Sequence, residues 1–124
     1  MARILIADDE ESMRLLVARA IGMDGHETTT AADGAEALEI LTHNDGAFDL
    51  LLTDIKMPVM DGIALALAAA RDEPKLVILL MTGYADQRER AHGLDALIHD
   101  VIAKPFSLAQ IREAVNDALA AKRH

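Results

Sequence analysis

Five short apolar runs alternate with five segments of helical periodicity along 124 residues, and this alternation restricts the fold more than any single motif. Arg3–Ala7, His26–Ala31, Phe48–Thr53, Lys75–Met81 and Val101–Ala103 read as strands. Met13, Leu16, Val17, Ala20 and Ile21 mark a first helix that ends at Gly22 and Gly25, with Ser12 and the acids around it suited to its start. Ala35, Leu38 and Leu41 mark a second, which stops near Asn44-Asp45-Gly46. Asp61-Gly62 opens a third, running to Ala70 or Arg71. There Ile63, Leu65 and Leu67 alternate as in a strand, but alanine at 64, 66, 68, 69 and 70 favours helix. A polar fourth helix covers Ala85 to about His92. Ser107 caps a fifth, with Leu108, Ile111, Val115, Ala118 and Leu119 on one face and Lys122 and Arg123 near its negative end.

Short connections between alternating strands and helices require parallel strands joined by right-handed crossovers. The economical solution is an α/β fold: one doubly wound five-stranded parallel sheet, order 2-1-3-4-5, flanked by five helices, with a crevice between the first and third strands. The Thr-rich second strand suits an edge and Lys75–Met81 an interior position. The chain is expected to be one domain over residues 1–124 with no segment left for an output domain.

A formal net charge of -9 argues against direct nucleic-acid binding, which relies on Lys and Arg displacing counterions from phosphate. No apolar run approaches a membrane span and no cysteine is present, so a soluble, cytoplasmic protein without disulfides or thiolate chemistry is expected. The histidines, His26, His43, His92, His99 and His124, show no paired spacing for a metal and are expected to be surface or satisfied residues. Ile63–Ala70 contains no polar residue, so one face of the third helix is open to a partner or a second copy.

The chemistry lies just past the strands, where α/β sheets place their ligands. Asp8-Asp9, Asp54, Thr82 and Lys104 all occupy such positions. Three carboxylates within a few ångströms would repel by roughly 4 kcal/mol per pair at an effective dielectric of 20. They need a cation. Oxygen-only donors with open positions suit Mg²⁺, while Lys104 can pair with Asp54 or an oxyanion on it and Thr82 offers a hydroxyl. Alone, Asp8-Asp9-Glu10-Glu11 reads as a solvated helix start and Lys104 as a surface charge. Together they are the parts for moving a phosphoryl group onto Asp54.

At these residues the chain resembles the receiver domain of bacterial two-component response regulators. Asp8-Asp9, the Asp54 to Gly62 motif, Thr82 and Lys104-Pro105-Phe106 occur in order, at family spacing and over essentially the full length. The resemblance implies a flavodoxin-like fold in which Asp54 accepts phosphate from a histidine kinase or histidine phosphotransfer protein. It implies Asp9, Asp54 and the Lys56 carbonyl as direct Mg²⁺ ligands, Asp8 as a ligand through water, Thr82 and Lys104 as holders of the phosphoryl oxygens, and a cis bond before Pro105. No enzymatic turnover is implied beyond self phosphoryl transfer and autodephosphorylation. The output would be binding to a protein partner. Within the family the chain is most similar to stand-alone receivers of α-proteobacteria whose unphosphorylated form assists ClpXP proteolysis.

One position departs from the family. Three residues before the conserved lysine, receivers usually carry Tyr or Phe, whose rotation reports phosphorylation; here it is Val101. Tyr84 is a candidate substitute, or a gate over the phosphoryl group beside Lys56. Two other functions use the same parts. A phosphorelay intermediate would pass its phosphate to a histidine phosphotransfer protein. An aspartyl-phosphate phosphatase would need its nucleophile after the first strand and a general acid two residues on, whereas Asp54 is followed at that distance by Lys56.

Overall fold

The computed structural model describes residues 2–44 and 46–122, without the side chains of Ala85, Asp86, Gln87 and Lys122. Asp45, Arg123 and His124, which the sequence places in a turn and past the last helix, lie outside the described residues. The elements are β1 (Arg3–Ala7), α1 (Glu11–Gly22), β2 (Glu27–Ala31), α2 (Gly34–His43), β3 (Leu50–Asp54), α3 (Gly62–Asp72), β4 (Val77–Thr82), α4 (Ala85–His92), β5 (Asp100–Ala103) and α5 (Leu108–Lys122). All pairings are parallel, in the expected order β2-β1-β3-β4-β5. In register, Ala7 lies opposite Ala31 and Thr53, Asp54 opposite Met81, and Thr82 opposite Ala103, which keeps the carboxyl ends level.

Interior strands are apolar at nearly every position because both faces are covered. Leu5, Leu51, Ile78 and Leu80 pack with Ala37, Leu41, Leu65 and Ala69 of α2 and α3. Ile4, Ile6, Leu50, Leu52, Leu79 and Met81 pack on the other face with Val17, Ile21, Ile111 and Val115 of α1 and α5. The Thr residues of β2 are half-buried at one edge; Val101 and Ile102 of β5 are half-buried at the other.

Several local expectations shift. β3 starts at Leu50, not Phe48, and ends on Asp54 itself. Phe48 is buried ahead of the strand, with the Arg3 guanidinium 5.0 Å from its ring centroid. Lys75 belongs to the turn before β4. Ser12 and the acids stand at the start of α1 as expected, with Glu10 as the cap in extended backbone and the Ser12 hydroxyl donating to the Glu10 carboxylate at 3.1 Å. Leu16 and Leu108, placed on core faces by periodicity, are 44% and 41% exposed. Leu16 lies one residue off the stripe Val17, Ala20 and Ile21, and Leu108 stands in the first turn of α5, short of Ile111. Ser107 caps α5 as expected and forms a capping box. Its hydroxyl accepts from the Gln110 N–H at 3.0 Å, while its own N–H donates to the Gln110 side chain at 2.7 Å.

Two contacts decide which helices are anchored. On α5, Arg112 forks onto Asp24 at 2.6 to 3.2 Å and Asn116 donates to the same carboxylate at 3.0 Å. The Asn116 oxygen meets His26 Nε2 at 2.8 Å, and His26 Nδ1 accepts from the Ala2 N–H at 3.2 Å. His26 is therefore a satisfied residue, as is His43, whose Nδ1 lies 2.8 Å from the Glu39 carbonyl. By contrast, α4 buries only Ala91 among its described side chains, and Arg90 ties it to Asp61, the cap of α3, at 3.3 Å.

The Arg112 and Asn116 hydrogen bonds hold the Asp24 carboxyl at about 2, below its ordinary 3.8. A depressed acid contributes stability above its ordinary value and loses it as pH falls through the folded value. Asp24→Asn is expected to melt a few degrees below wild type at pH 7, with the gap closing between pH 4 and 2 in calorimetric scans. An equal gap at pH 7 and pH 2 would refute this.

Candidate functional site

Asp8 follows β1 and is buried with all its polar atoms engaged. Its N–H donates to the Ala31 carbonyl at 3.2 Å, and its carbonyl accepts from Arg14 Nη1 at 2.8 Å. Oδ1 accepts from the Glu10 N–H at 3.0 Å, and Oδ2 accepts from Lys104 Nζ at 3.1 Å. Asp9 is exposed. Asp54, 9% exposed at the end of β3, accepts the Ile55 N–H on Oδ1 at 2.9 Å and faces Lys104 Nζ through Oδ2 at 3.4 Å. Asp8, Asp9 and Asp54 each bring a carboxylate oxygen within 4.8 Å of the others. The expected convergence is present. Lys104 favours Asp8 over Asp54 by distance, a preference the spacing of the residues did not contain.

This donor set fits Mg²⁺: it is all oxygen, made of three carboxylates, and it opens through Asp9 to solvent, so waters and phosphate oxygens can share the ion. A cleft of about 790 Å³ lies over it, lined by Asp9, Asp54, Lys56, Gly83, Tyr84 and Lys104 among others. Lys56 forms part of the wall, with its ammonium 5.1 Å from the centroid of the Tyr84 ring. Thr82 is buried at the end of β4, where its hydroxyl accepts from the Tyr84 N–H at 3.1 Å and donates to the Tyr84 carbonyl at 3.3 Å. Lys104-Pro105 is cis, and the Lys104 N–H donates to the Thr82 carbonyl at 2.8 Å.

The β3–α3 connection is built around small residues and one unusual turn. The Met60 N–H donates to the Pro58 carbonyl at 2.7 Å, a γ-turn centred on Val59 at φ 70 and 85% exposed. The Gly62 N–H donates to the Ile55 carbonyl at 2.7 Å. A Cβ at Gly62 would overlap the Asp54 carbonyl, and one at Gly34 would overlap the Met60 carbonyl. Both glycines are therefore required by close approach, and they let α2 and α3 press against the loop that carries Asp54.

Sequence reasoning passed over Arg14 and Arg90. Each is an ordinary helical arginine whose contact depends on how its helix is rotated, and the only hint was position: Arg14 follows Asp9 by five residues on the first turns of α1.

Burial pushes the Asp54 carboxyl above its ordinary value; Lys104 opposes that shift and the Asp8 carboxylate adds to it. A raised acid weakens the fold as pH rises through the folded value, so at neutral pH the charge on Asp54 is destabilising. Asp54→Asn is expected to melt a few degrees above wild type at pH 7 in EDTA, with the difference vanishing below about pH 4. A variant less stable than wild type at pH 7 would contradict the cause assigned to the shift.

A family model described as the response regulator receiver domain matches residues 4–116. The response regulator receiver protein CpdR of Brucella abortus (strain 2308) is 39% identical over 117 residues, which are 94% of this chain and 93% of that protein. Sporulation initiation phosphotransferase F of Bacillus subtilis (strain 168) is 36% identical over 122 residues, 97% of this chain and 95% of that one. Other curated relatives are longer, and the chain spans 25% and 46% of two of them. The solved structure of response regulator protein TrrA from Thermotoga maritima, in complex with Mg²⁺–BeF, has a TM-score of 0.85 at 30% identity and covers 95% of this chain and 99% of its own. With the sheet order, the acid cluster and these matches in agreement, the chain belongs to the response regulator receiver domains of two-component signalling.

Proposed function

We propose that this chain is a Mg²⁺-dependent phosphorylation switch, in which Asp54 accepts a phosphoryl group from a histidine kinase or histidine phosphotransfer protein. The observation that carries the reading is the convergence of Asp8, Asp9 and Asp54 beside Lys104 under an open cleft. The Ile55 N–H holds Oδ1 of Asp54, which leaves Oδ2 as the attacking atom. The new P–O bond forms as the P–N bond of the donor phosphohistidine breaks, and the imidazole departs with that electron pair, neutral because its other ring nitrogen already carries a proton. Asp8, Asp9, Asp54 and the Lys56 carbonyl would hold Mg²⁺, which supplies neutralisation of charge on the transferring oxygens. Lys104 moves its ammonium from the carboxylates to a phosphoryl oxygen.

Thr82 is the proposed first moving part. Its hydroxyl exchanges the Tyr84 backbone for a phosphoryl oxygen, and Tyr84 is the residue just before α4, at its N-cap, so the displacement passes directly to a lightly anchored helix. This route does not need the aromatic ring that Val101 replaces. The Lys56–Tyr84 contact at the wall of the cleft fits a gate on water access, and hence a control on phosphate lifetime. Phosphorylation adds roughly 1.5 to 2 negative charges, and inverting a 1:99 equilibrium takes about 5.5 kcal/mol of differential stabilisation. The output is binding of a cytoplasmic protein partner at the face formed by α4, β5 and α5. ClpXP proteolysis is the candidate output drawn from the likeness to CpdR, and a second copy of the chain is a further candidate partner. No substrate turnover enters this reading.

The likeness to sporulation initiation phosphotransferase F favours a second reading, a relay intermediate. Radiolabel leaving phospho-Asp54 for a histidine phosphotransfer protein faster than hydrolysis would select it; loss to water alone would select the switch. Acetyl phosphate or beryllofluoride with Mg²⁺ is expected to shift amide resonances from Thr82 to Ser107, and Asp54→Ala to abolish the change. An unchanged wild-type spectrum would refute the reading.

A further inference from the structure

Asp9 is the exposed member of the acid cluster, and among the described residues its carboxylate meets no hydrogen-bond donor or cation. Its place beside Asp8 and Asp54 is therefore set through its backbone, against the repulsion of two neighbouring carboxylates. That backbone is tied down at Asp8. The Ala31, Glu10 and Lys104 contacts hold the amide and side chain of Asp8, whereas Arg14 Nη1 reaches the Asp8 carbonyl at 2.8 Å. The Asp8 carbonyl lies in the same rigid plane as the Asp9 N–H and Cα. A bond to it sets the tilt of the peptide from which Asp9 projects.

We propose that Arg14 is the positioning residue of the cation site, holding the Asp8–Asp9 peptide so that Asp9 stays aimed at the cluster. The inference rests on reading Asp8, Asp9 and Asp54 as a Mg²⁺ site. It has an unusual sign. A guanidinium beside a cation site opposes the cation through charge, so an effect of charge alone predicts that its removal tightens Mg²⁺ binding. A positioning effect predicts the reverse.

Arg14→Met keeps an unbranched stem with good helix propensity and removes the donor and the charge; Arg14→Lys keeps the charge and loses the planar fork. MgCl₂ titrations of the full chain at constant ionic strength, followed by amide shifts of Asp9 to Glu11 and Ile55, give the Mg²⁺ Kd, and melting in EDTA reports the fold separately. The expected result is a Kd about 10-fold weaker in Arg14→Met, the order found when residues supporting metal ligands are removed. Arg14→Lys should fall between that variant and wild type. An unchanged or tighter Kd in Arg14→Met overturns the proposal. If that variant does not fold, Arg14→Lys decides: a weaker Kd supports the proposal and an unchanged one overturns it. A wild type that binds no Mg²⁺ removes the site reading and this inference together, whereas a binding wild type with an unaffected Arg14→Met removes the inference alone.

Discussion

Lys104 reaches Asp8 and Asp54 at 3.1 and 3.4 Å, and that pair of contacts lets two acids stand at the ends of adjacent buried strands. The sheet forces them together: Ala7 pairs with Thr53, so Asp8, just past β1, and Asp54, the last residue of β3, share one rim. The buried Leu, Ile and Met side chains of β1, β3 and β4 supply the free energy that holds this arrangement, each large one contributing about 1.5 to 3 kcal/mol on burial. Burial of Asp54 leaves a residual penalty that one lysine does not cancel. A site under such tension gains from any cation or any neutralising bond at Asp54, which is the property a covalent switch needs.

Unequal anchoring of the helices gives that tension a direction. α5 is tied to the turn after α1 through the Asp24 carboxylate, with Arg112 and Asn116 both bound to it, and α2 and α3 press on the β3–α3 loop through Gly34 and Gly62. α4 has no comparable attachment among the described residues: its buried contact is Ala91, and its ion pair to Asp61 is half-exposed and worth at most about 1 kcal/mol. Movement at the rim therefore finds least resistance at α4, beside the position where Val101 stands.

Most of this was legible in residue order because strand alternation and the residue after each strand are local properties. Asp8, Asp9, Asp54 and Lys104 converge for the reason that parallel strands end on one side. Less legible were features set by helix rotation and loop packing. Leu16 and Leu108 satisfy a helical repeat yet face solvent, since a stripe of three or four residues already covers the sheet. Arg14 and Arg90 look like solvated charges until the helices are placed. Tyr84 does stand beside Lys56 as expected, although the contact joins two loops whose relative position no periodicity encodes.

The Lys104–Asp8 contact spans 96 residues of chain, and β5, which delivers the lysine, is the last strand laid down at an edge of the sheet. During synthesis β1, β3 and β4 can meet before β5 emerges, so the acids come together ahead of their cation. The lysine reaches the acids only once β5 has joined the edge of the sheet. With β5 detached, the carboxylates would stand together without the lysine that neutralises them, so the charge balance of the site depends on an edge strand.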